Sequence, residues 1–374
     1  MKNLMFYGTT DYGFEIGKSD EEKFKELSAN FSTFVMTYGE ERKQIQHPFV
    51  NITYLKKPKY LFIQYLYFYL LNYKNLNRYI ENNKINIISA KDPISAFLPI
   101  ILKTFNKKEI KIVIEHHGDF LDLLLNQRNF YMKRIIKIIS MIISNFTYKK
   151  CDLIRGVEET ATKELAKKYN QKYIYFPAWV DHTIFTNNQM ARNNFLIVGN
   201  IIPRKGILFL IKQFHIFSSI NNNIYDLKIV GNTPNKDYLK KCQDFINKNN
   251  IQNIHFVGSV DSNKISDLMN SSLLLLMASS YEGLPRVLIE SSLCGLPSLS
   301  SSIRGISSPF GDQGGTLLYK YNNSSEFHQK LNEFIDNKSL QKELSKKCQK
   351  LGAELAGENM FLNNWKRVEQ ILYE

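Results

Sequence analysis

Cysteine is scarce in this chain: 4 among 374 residues. Cys151, Cys242, Cys294 and Cys348 lie far apart and form no CxxC pair, which argues against a disulfide framework and against a structural zinc site. Scattered thiols fit a reducing compartment, so a cytoplasmic location is the expectation. Long apolar runs are missing too. The longest, YLFIQYLYFYLL at 60–71, is interrupted by Gln64 and falls short of the roughly 20 residues a bilayer requires. The opening MKNLMFYGTT lacks the apolar length of a secretion signal. No convincing DxD motif or carboxylate cluster suits Mg²⁺, so no metal and no cofactor is expected. Zinc-finger spacing, an RNP motif and a basic region followed by heptads are all absent, which sets nucleic acid aside as a partner. No internal repeat is apparent.

What the chain does have is positive charge, a formal +14 from 49 Lys and Arg against 35 Asp and Glu. An anionic substrate or an anionic membrane surface would each suit that balance. The abundance of Lys, Asn and Ile also matches the coding bias of an AT-rich genome, a duller source of the same charge. The length allows two domains, and 44% hydrophobic residues can fill their cores.

Strand-like and helix-like stretches alternate. NLMFYG (3–8), NIISA (86–90) and KIVIEHHG (111–118) read as strands, with helical runs at 60–82 and 96–105 between them. Ser19 and Glu22 form a capping-box pattern before a further helix. A second series starts at NFLIVGN (194–200) and continues with a helix at 206–217, strands at 227–232 and 254–259, and a helix at 264–270. An apolar run within SSLLLLMASS (271–280) then suits a buried parallel strand. The expectation is α/β, with two Rossmann-like domains facing each other across a cleft. The boundaries are 1–178 for the first, 179–193 for a linker and 194–359 for the second, with the terminal helix 360–374 packing back on the first.

The candidate chemistry concentrates in SSYEGLPRVLIESSLCGLP (279–297). Pro285 suits a helix start, and Gly295 and Pro297 suit its end, so a helix is predicted over about 285–294. Glu282 then lies in the loop before that helix and Glu290 about five residues inside it. Between them sit the helix N-terminal amides, a natural seat for diphosphate. An elongated ligand with hydroxyls at both ends and phosphate in the middle fits, and a nucleotide sugar is such a ligand. Arg204 and Lys205, in VGNIIPRKG (198–206), stand where a strand turns into a helix, and Lys205 there can neutralise a departing diphosphate. His117, before Gly118, can bond a sugar hydroxyl or handle a proton. The stretch 128–150 carries apolar residues at 135, 138, 139, 142, 143 and 146, flanked by Lys133, Arg134, Lys137, Lys149 and Lys150. It reads either as a helix lying on an anionic membrane or as an amphipathic helix packed on the sheet.

These residues together resemble the family-four retaining glycosyltransferases of GT-B fold, the glycosyl transferases group 1. The resemblance covers nearly the whole chain and is strongest over 194–316. Its glutamate, seven-residue, glutamate signature is matched by Glu282 and Glu290. It implies that Glu282 contacts the donor sugar and Glu290 the nucleotide ribose, and that Gly283, Leu284 and Pro285 lie along the donor. The family's Gly-Arg…Lys-Gly element is matched by Gly199, Lys205 and Gly206, with Asn200 in place of the arginine and Arg204 as a substitute cation. Gly13, within the loop 8–17, represents the N-terminal glycine loop. The implied catalytic group is His117, Lys205 and Glu282. The implied reaction is metal-independent hexosyl transfer with retention, from a nucleotide sugar (UDP expected over GDP) to a hydroxyl of a glycan or lipid-linked acceptor. Bacterial surface polysaccharide synthesis, by a cytoplasmic protein held peripherally on the inner face of the membrane, is the setting this suggests. A sugar-nucleotide epimerase of the same fold and a non-catalytic glycan- or membrane-associated partner protein are the alternatives.

Overall fold

The computed structural model describes residues 1–59, 72–117, 133–188, 193–222, 224–311 and 313–374. These form two compact units, one of Met1–Trp179 with Asn359–Glu374, the other of Val180–Glu358. Each is an α/β unit built on a largely or wholly parallel sheet.

The first unit has an eight-stranded sheet. Its strands are β1 (Lys2–Tyr7), β2 (Phe31–Gly39), β3 (Lys43–Gln46), β4 (Asn51–Lys56), β5 (Ile87–Ala90), β6 (Lys111–His116), β7 (Leu153–Gly156) and β8 (Tyr173–Tyr175). The order is β3-β4-β2-β1-β5-β6-β7-β8. Every pairing is parallel except the β3–β4 edge. Alternation along each strand feeds two cores. Leu4, Ile87, Val113 and Leu153 face one way; Met5, Ile88, Ile112 and Ile154 face the other. Strands buried on both faces read as continuous apolar runs, which is why β5 and β6 were visible in the sequence.

The terminal helix Met360–Tyr373 closes the Leu4 face with Leu362, Trp365, Val368 and Leu372, all buried. Its first turn is tied down where Leu362 N–H donates to Glu26 Oε1 at 2.8 Å.

Several local expectations change. The first helix begins at Lys18 with Gly17 as its cap and no side-chain cap bond, so the Ser19–Glu22 capping box is not the helix start. Ser19 lies one residue inside, and its carbonyl accepts from the Trp179 indole at 3.0 Å. Strands β2 and β4 were not anticipated. In β2 the buried Thr33 and Thr37 interrupt the apolar run, and each hydroxyl is satisfied by a backbone carbonyl, of Phe49 and Thr10 respectively. A helix occupies Tyr73–Asn82, while 60–71 lies outside the described residues.

The second unit has six strands, β9 (Asn194–Val198), β10 (Asp226–Val230), β11 (Ile254–Gly258), β12 (Ser272–Met277), β13 (Ser298–Ser301) and β14 (Thr316–Tyr319). They pair in parallel in the order β11-β10-β9-β12-β13-β14. The residues read as a linker behave differently over 180–188. Val180 and Phe185 are buried in this unit's core, and Asn188 N–H donates to Asn270 Oδ1 at 2.8 Å. All four cysteines are buried thiols, and burial pushes those of Cys151 and Cys242 up to about 12 and about 11. Among the described residues no helix is long and apolar enough to cross a membrane.

Candidate active site

The strand order of the second unit reverses direction between β9 and β12. The chain runs from β9 outward through β10 and β11, then returns to lay β12 on the other side of β9. Loops leaving the carboxyl ends of two such neighbours diverge and open a crevice at a topological switch point. The loop after β9 carries Gly199 to Gly206, and the loop after β12 carries Ala278 to Pro285. Both candidate segments therefore leave the same place in the sheet.

Their side chains meet. Lys205 Nζ donates to Glu282 Oε1 at 2.6 Å, and Arg204 Nη1 lies 3.3 Å from Glu282 Oε2. Ser279 Oγ donates to Glu282 Oε1 at 2.7 Å. The backbones are joined as well, by Ser280 N–H donating to the Arg204 carbonyl at 2.9 Å. Burial works against the Glu282 charge, but the attraction and hydrogen bond of Lys205, with Arg204 and Ser279 adding, outweigh it and hold its pKa below the ordinary value. The carboxylate is thus partly buried, hydrogen-bonded twice through Oε1 and ion-paired through Oε2.

A second layer fixes this loop. Ser301 Oγ donates to the Ser279 carbonyl at 2.7 Å. Gly305 packs so closely that a Cβ there would lie 1.8 Å from the Gly283 carbonyl oxygen and 2.4 Å from that of Glu282. On the other loop, Gly199 has φ +150, and a Cβ there would meet the Lys205 Cε at 3.4 Å, so the lysine stem crosses directly over it. Asn200 is exposed at this bend, and its carbonyl accepts from Ile202 N–H at 3.0 Å. Arg204 turns to Glu282 and the Tyr281 carbonyl.

The helix runs Arg286–Leu293, with Pro285 at the cap rather than at the first helical position. Glu290 lies in its second turn, and its only described ion partner is Arg286 Nη2 at 3.5 Å. Burial raises the Glu290 pKa, with the exposed Arg286 opposing it weakly. The two glutamates are electrostatic opposites: Glu282 is neutralised by fixed cations, whereas Glu290 is desolvated and under-compensated. The amides of the first helical turn, from Arg286 to Ile289, lie between them in the chain.

In the first unit, His117 follows β6. Its Nε2 lies 2.7 Å from Glu115 Oε2. Glu115 also accepts from Ser89 Oγ at 2.6 Å and from Arg155 Nη1 at 3.0 Å. Arg155 is buried and donates through Nη2 to the carbonyls of Phe176 at 2.9 Å and Pro177 at 2.6 Å. Burial opposes the Glu115 charge, but Arg155, His117 and Ser89 together hold the carboxyl well below the usual range. His116 takes a separate partner, with Nδ1 3.2 Å from Tyr148 Oη. Gly13 has φ +64, its N–H donates to Asp11 Oδ1 at 3.0 Å, and its carbonyl accepts from Tyr54 Oη. Gly118 lies outside the described residues.

The sequence reading missed Glu115, Arg155, Ser279 and Gly305. Glu115 had a signal, since residues two apart on a strand share a face. Arg155 had none, because only the β6–β7 pairing brings it to Glu115. Among the described residues no group of three His, Cys, Asp or Glu side chains gathers to hold a metal ion.

Comparison with known proteins agrees with this architecture. Residues 183–351 match the family described as glycosyl transferases group 1. An uncharacterised glycosyltransferase of Methanocaldococcus jannaschii is 24% identical over 307 residues, 81% of this chain and 81% of its own length. The capsular polysaccharide biosynthesis glycosyltransferase CapH of Staphylococcus aureus is 31% identical over 181 residues, 47% of each chain. Among solved structures, the sucrose-phosphate synthase of Thermosynechococcus elongatus superposes with a TM-score of 0.78 at 14% identity, covering 100% of this chain and 99% of its own. HepE of Anabaena, crystallised with UDP, superposes with a TM-score of 0.73 at 12% identity, covering 99% and 100%.

Proposed function

We infer a retaining hexosyltransferase that uses a nucleotide-sugar donor, from the match of residues 183–351 to the glycosyl transferases group 1 and from the GT-B fold. The observation that carries this reading is the Lys205–Glu282–Arg204 cluster at the β9/β12 switch point, one loop ahead of the helix that bears Glu290. In this reading the donor diphosphate takes the cationic partners. Lys205, Arg204 and the first-turn amides of Arg286–Leu293 stabilise the negative charge that grows as the bond from anomeric carbon to diphosphate breaks. Glu282, released in part from Lys205, faces the sugar as its anomeric carbon gains positive charge. Glu290 accepts the ribose hydroxyls. The acceptor hydroxyl forms the new glycosidic bond as the bond to diphosphate breaks, and it passes its proton to the departing diphosphate oxygen on the same face, with retention and without a covalent enzyme intermediate.

Lysine, arginine and helix amides supply the positive charge this chemistry needs, so activity without added metal belongs to the proposal. UDP is the base proposed, because the similar fold of HepE was crystallised with UDP. A glycan or lipid-linked acceptor in surface polysaccharide synthesis is proposed on the similarity to CapH. The test is nucleotide release from a panel of UDP-, GDP- and ADP-sugars, with and without glycan acceptors. Release of UDP that rises with acceptor and yields an α-linked product from an α-linked donor supports the reading. No release from any donor, or an inverted linkage, overturns it.

A further inference from the structure

The helix Lys133–Lys150 leaves Ile138, Ile139 and Ile142 of its apolar stripe outside the core of the first unit. Its small hydroxyl residues face inward: Ser140, Ser144 and Thr147 are 4%, 8% and 0% exposed. Ile143 and Phe146 pack partly beside them against the core of the first unit, and Tyr148 is buried in it. The large apolar residues face outward: Ile138, Ile139, Met141 and Ile142 are 57%, 51%, 43% and 62% exposed. Spacings of three and four set Ile138, Met141 and Ile142 side by side on one surface. Arg134 and Lys137 are exposed on the turns before them, and Lys149 and Lys150 are exposed after them. No acidic residue occurs anywhere in the helix.

We propose that this outward face of Lys133–Lys150 is a membrane-docking surface that lies on anionic lipid. An apolar centre bounded by cations at both ends is the pattern of an interfacial helix, with isoleucine and methionine entering the acyl boundary and the cations meeting lipid phosphates. A second copy of the chain is a poorer occupant, because pairing the same faces would set Arg134, Lys137, Lys149 and Lys150 against their equivalents with no acid to offset them. The net charge of +14 adds attraction at a distance. This inference does not rest on the donor-site reading, which nucleotide release in solution tests separately.

The experiment is sedimentation of the full chain with phosphatidylcholine vesicles, with and without phosphatidylglycerol, at low and high salt. The expected result is binding to the phosphatidylglycerol vesicles alone and release as salt rises. Ile138→Ser with Ile142→Ser should lower the partition by roughly tenfold or more without lowering the melting temperature, since both side chains are already in water. Arg134→Gln with Lys137→Gln serves as a second reading of the same face, and each neutralised cation should lower the partition about fivefold. Absence of binding by the natural chain, or undiminished binding by both variants, overturns the proposal. So does concentration-dependent dimerisation in solution that the isoleucine variant abolishes, which would assign the face to a second copy.

Discussion

At the scale of single residues, Glu282 and Glu290 differ in their environments, and their losses should differ in kind. Glu290→Ala removes a contact proposed to be equal in ground and transition states, so the donor KM should rise roughly 10–150-fold, the worth of one charge-assisted bond. Glu282→Ala should chiefly lower kcat, and Lys205→Ala should lower it by about 10²–10³. Donor-saturation kinetics on the three variants would separate these outcomes, and equal kinetics for all would make the cluster structural. The pKa directions add a test that needs no substrate. The raised Glu290 pKa contributes stability that is present below the unfolded value and is lost as pH rises through the folded value. Glu290→Gln should therefore melt higher than the natural chain at pH 7, with the difference closing near pH 4. Glu282 has the opposite sign: its stabilisation is present above the unfolded value and is lost as pH falls through the lowered one. Glu282→Gln should melt lower at pH 7, and identical melting curves for the two variants across this range would refute the assignment of environments.

Between residue and domain, each unit holds its own candidate residues with one packed element. The turn into the helix Arg304–Phe310 backs the Glu282 loop through Gly305, where a Cβ has no space beside the Gly283 carbonyl. Gly305→Ala should therefore move the loop and reduce turnover by about tenfold or more, the order expected of a small displacement in a positioned site. A crystal structure of that variant with an unshifted loop would contradict the account. In the first unit, Glu115 and Arg155 form a buried pair that also takes the ring of His117. Glu115→Ala leaves Arg155 as an uncompensated buried charge, a loss of about 3–5 kcal/mol. Chemical denaturation would measure it, and a loss under about 1 kcal/mol would mean that water already reaches the guanidinium.

Each unit of the whole chain has its own sheet and its own cores, so a ligand of one should leave a local signature. UDP bound at the β9/β12 switch point should slow amide exchange in the loops 199–206 and 278–290 and raise the melting temperature, by about 2.7 kcal/mol of added stability at a hundredfold excess over Kd. Hydrogen exchange on the intact chain would locate the effect, and protection confined to the first unit would move the donor site there. Activity should also survive excess EDTA. Loss on chelation, restored by Mg²⁺ or Mn²⁺, would add a metal to the mechanism.

The sequence by itself determined the parts that depend on local pattern. Continuous apolar runs identified β5, β6 and β12, because central parallel strands are buried on both faces. Pro285, Gly295 and Pro297 bracketed a helix, because proline and glycine act through backbone torsions that need no neighbours. Glu282 and Lys205 were both legible as candidates, since each follows a strand within a recognisable motif. Tertiary structure alone decided the rest. Residues 77 apart in the chain meet in one ion pair only because β12 returns to β9. Arg155 reaches Glu115 only through strand pairing. Ser19 reads as a cap, yet the helix starts at Lys18 and the Trp179 indole takes the Ser19 carbonyl. The helix Lys133–Lys150 carries an apolar stripe that periodicity alone leaves open between membrane and sheet, yet Ile143 and Phe146 pack beside the hydroxyl side while Ile138, Ile139 and Ile142 face out. Periodicity states which residues share a face; only the neighbours of a helix determine which face they cover.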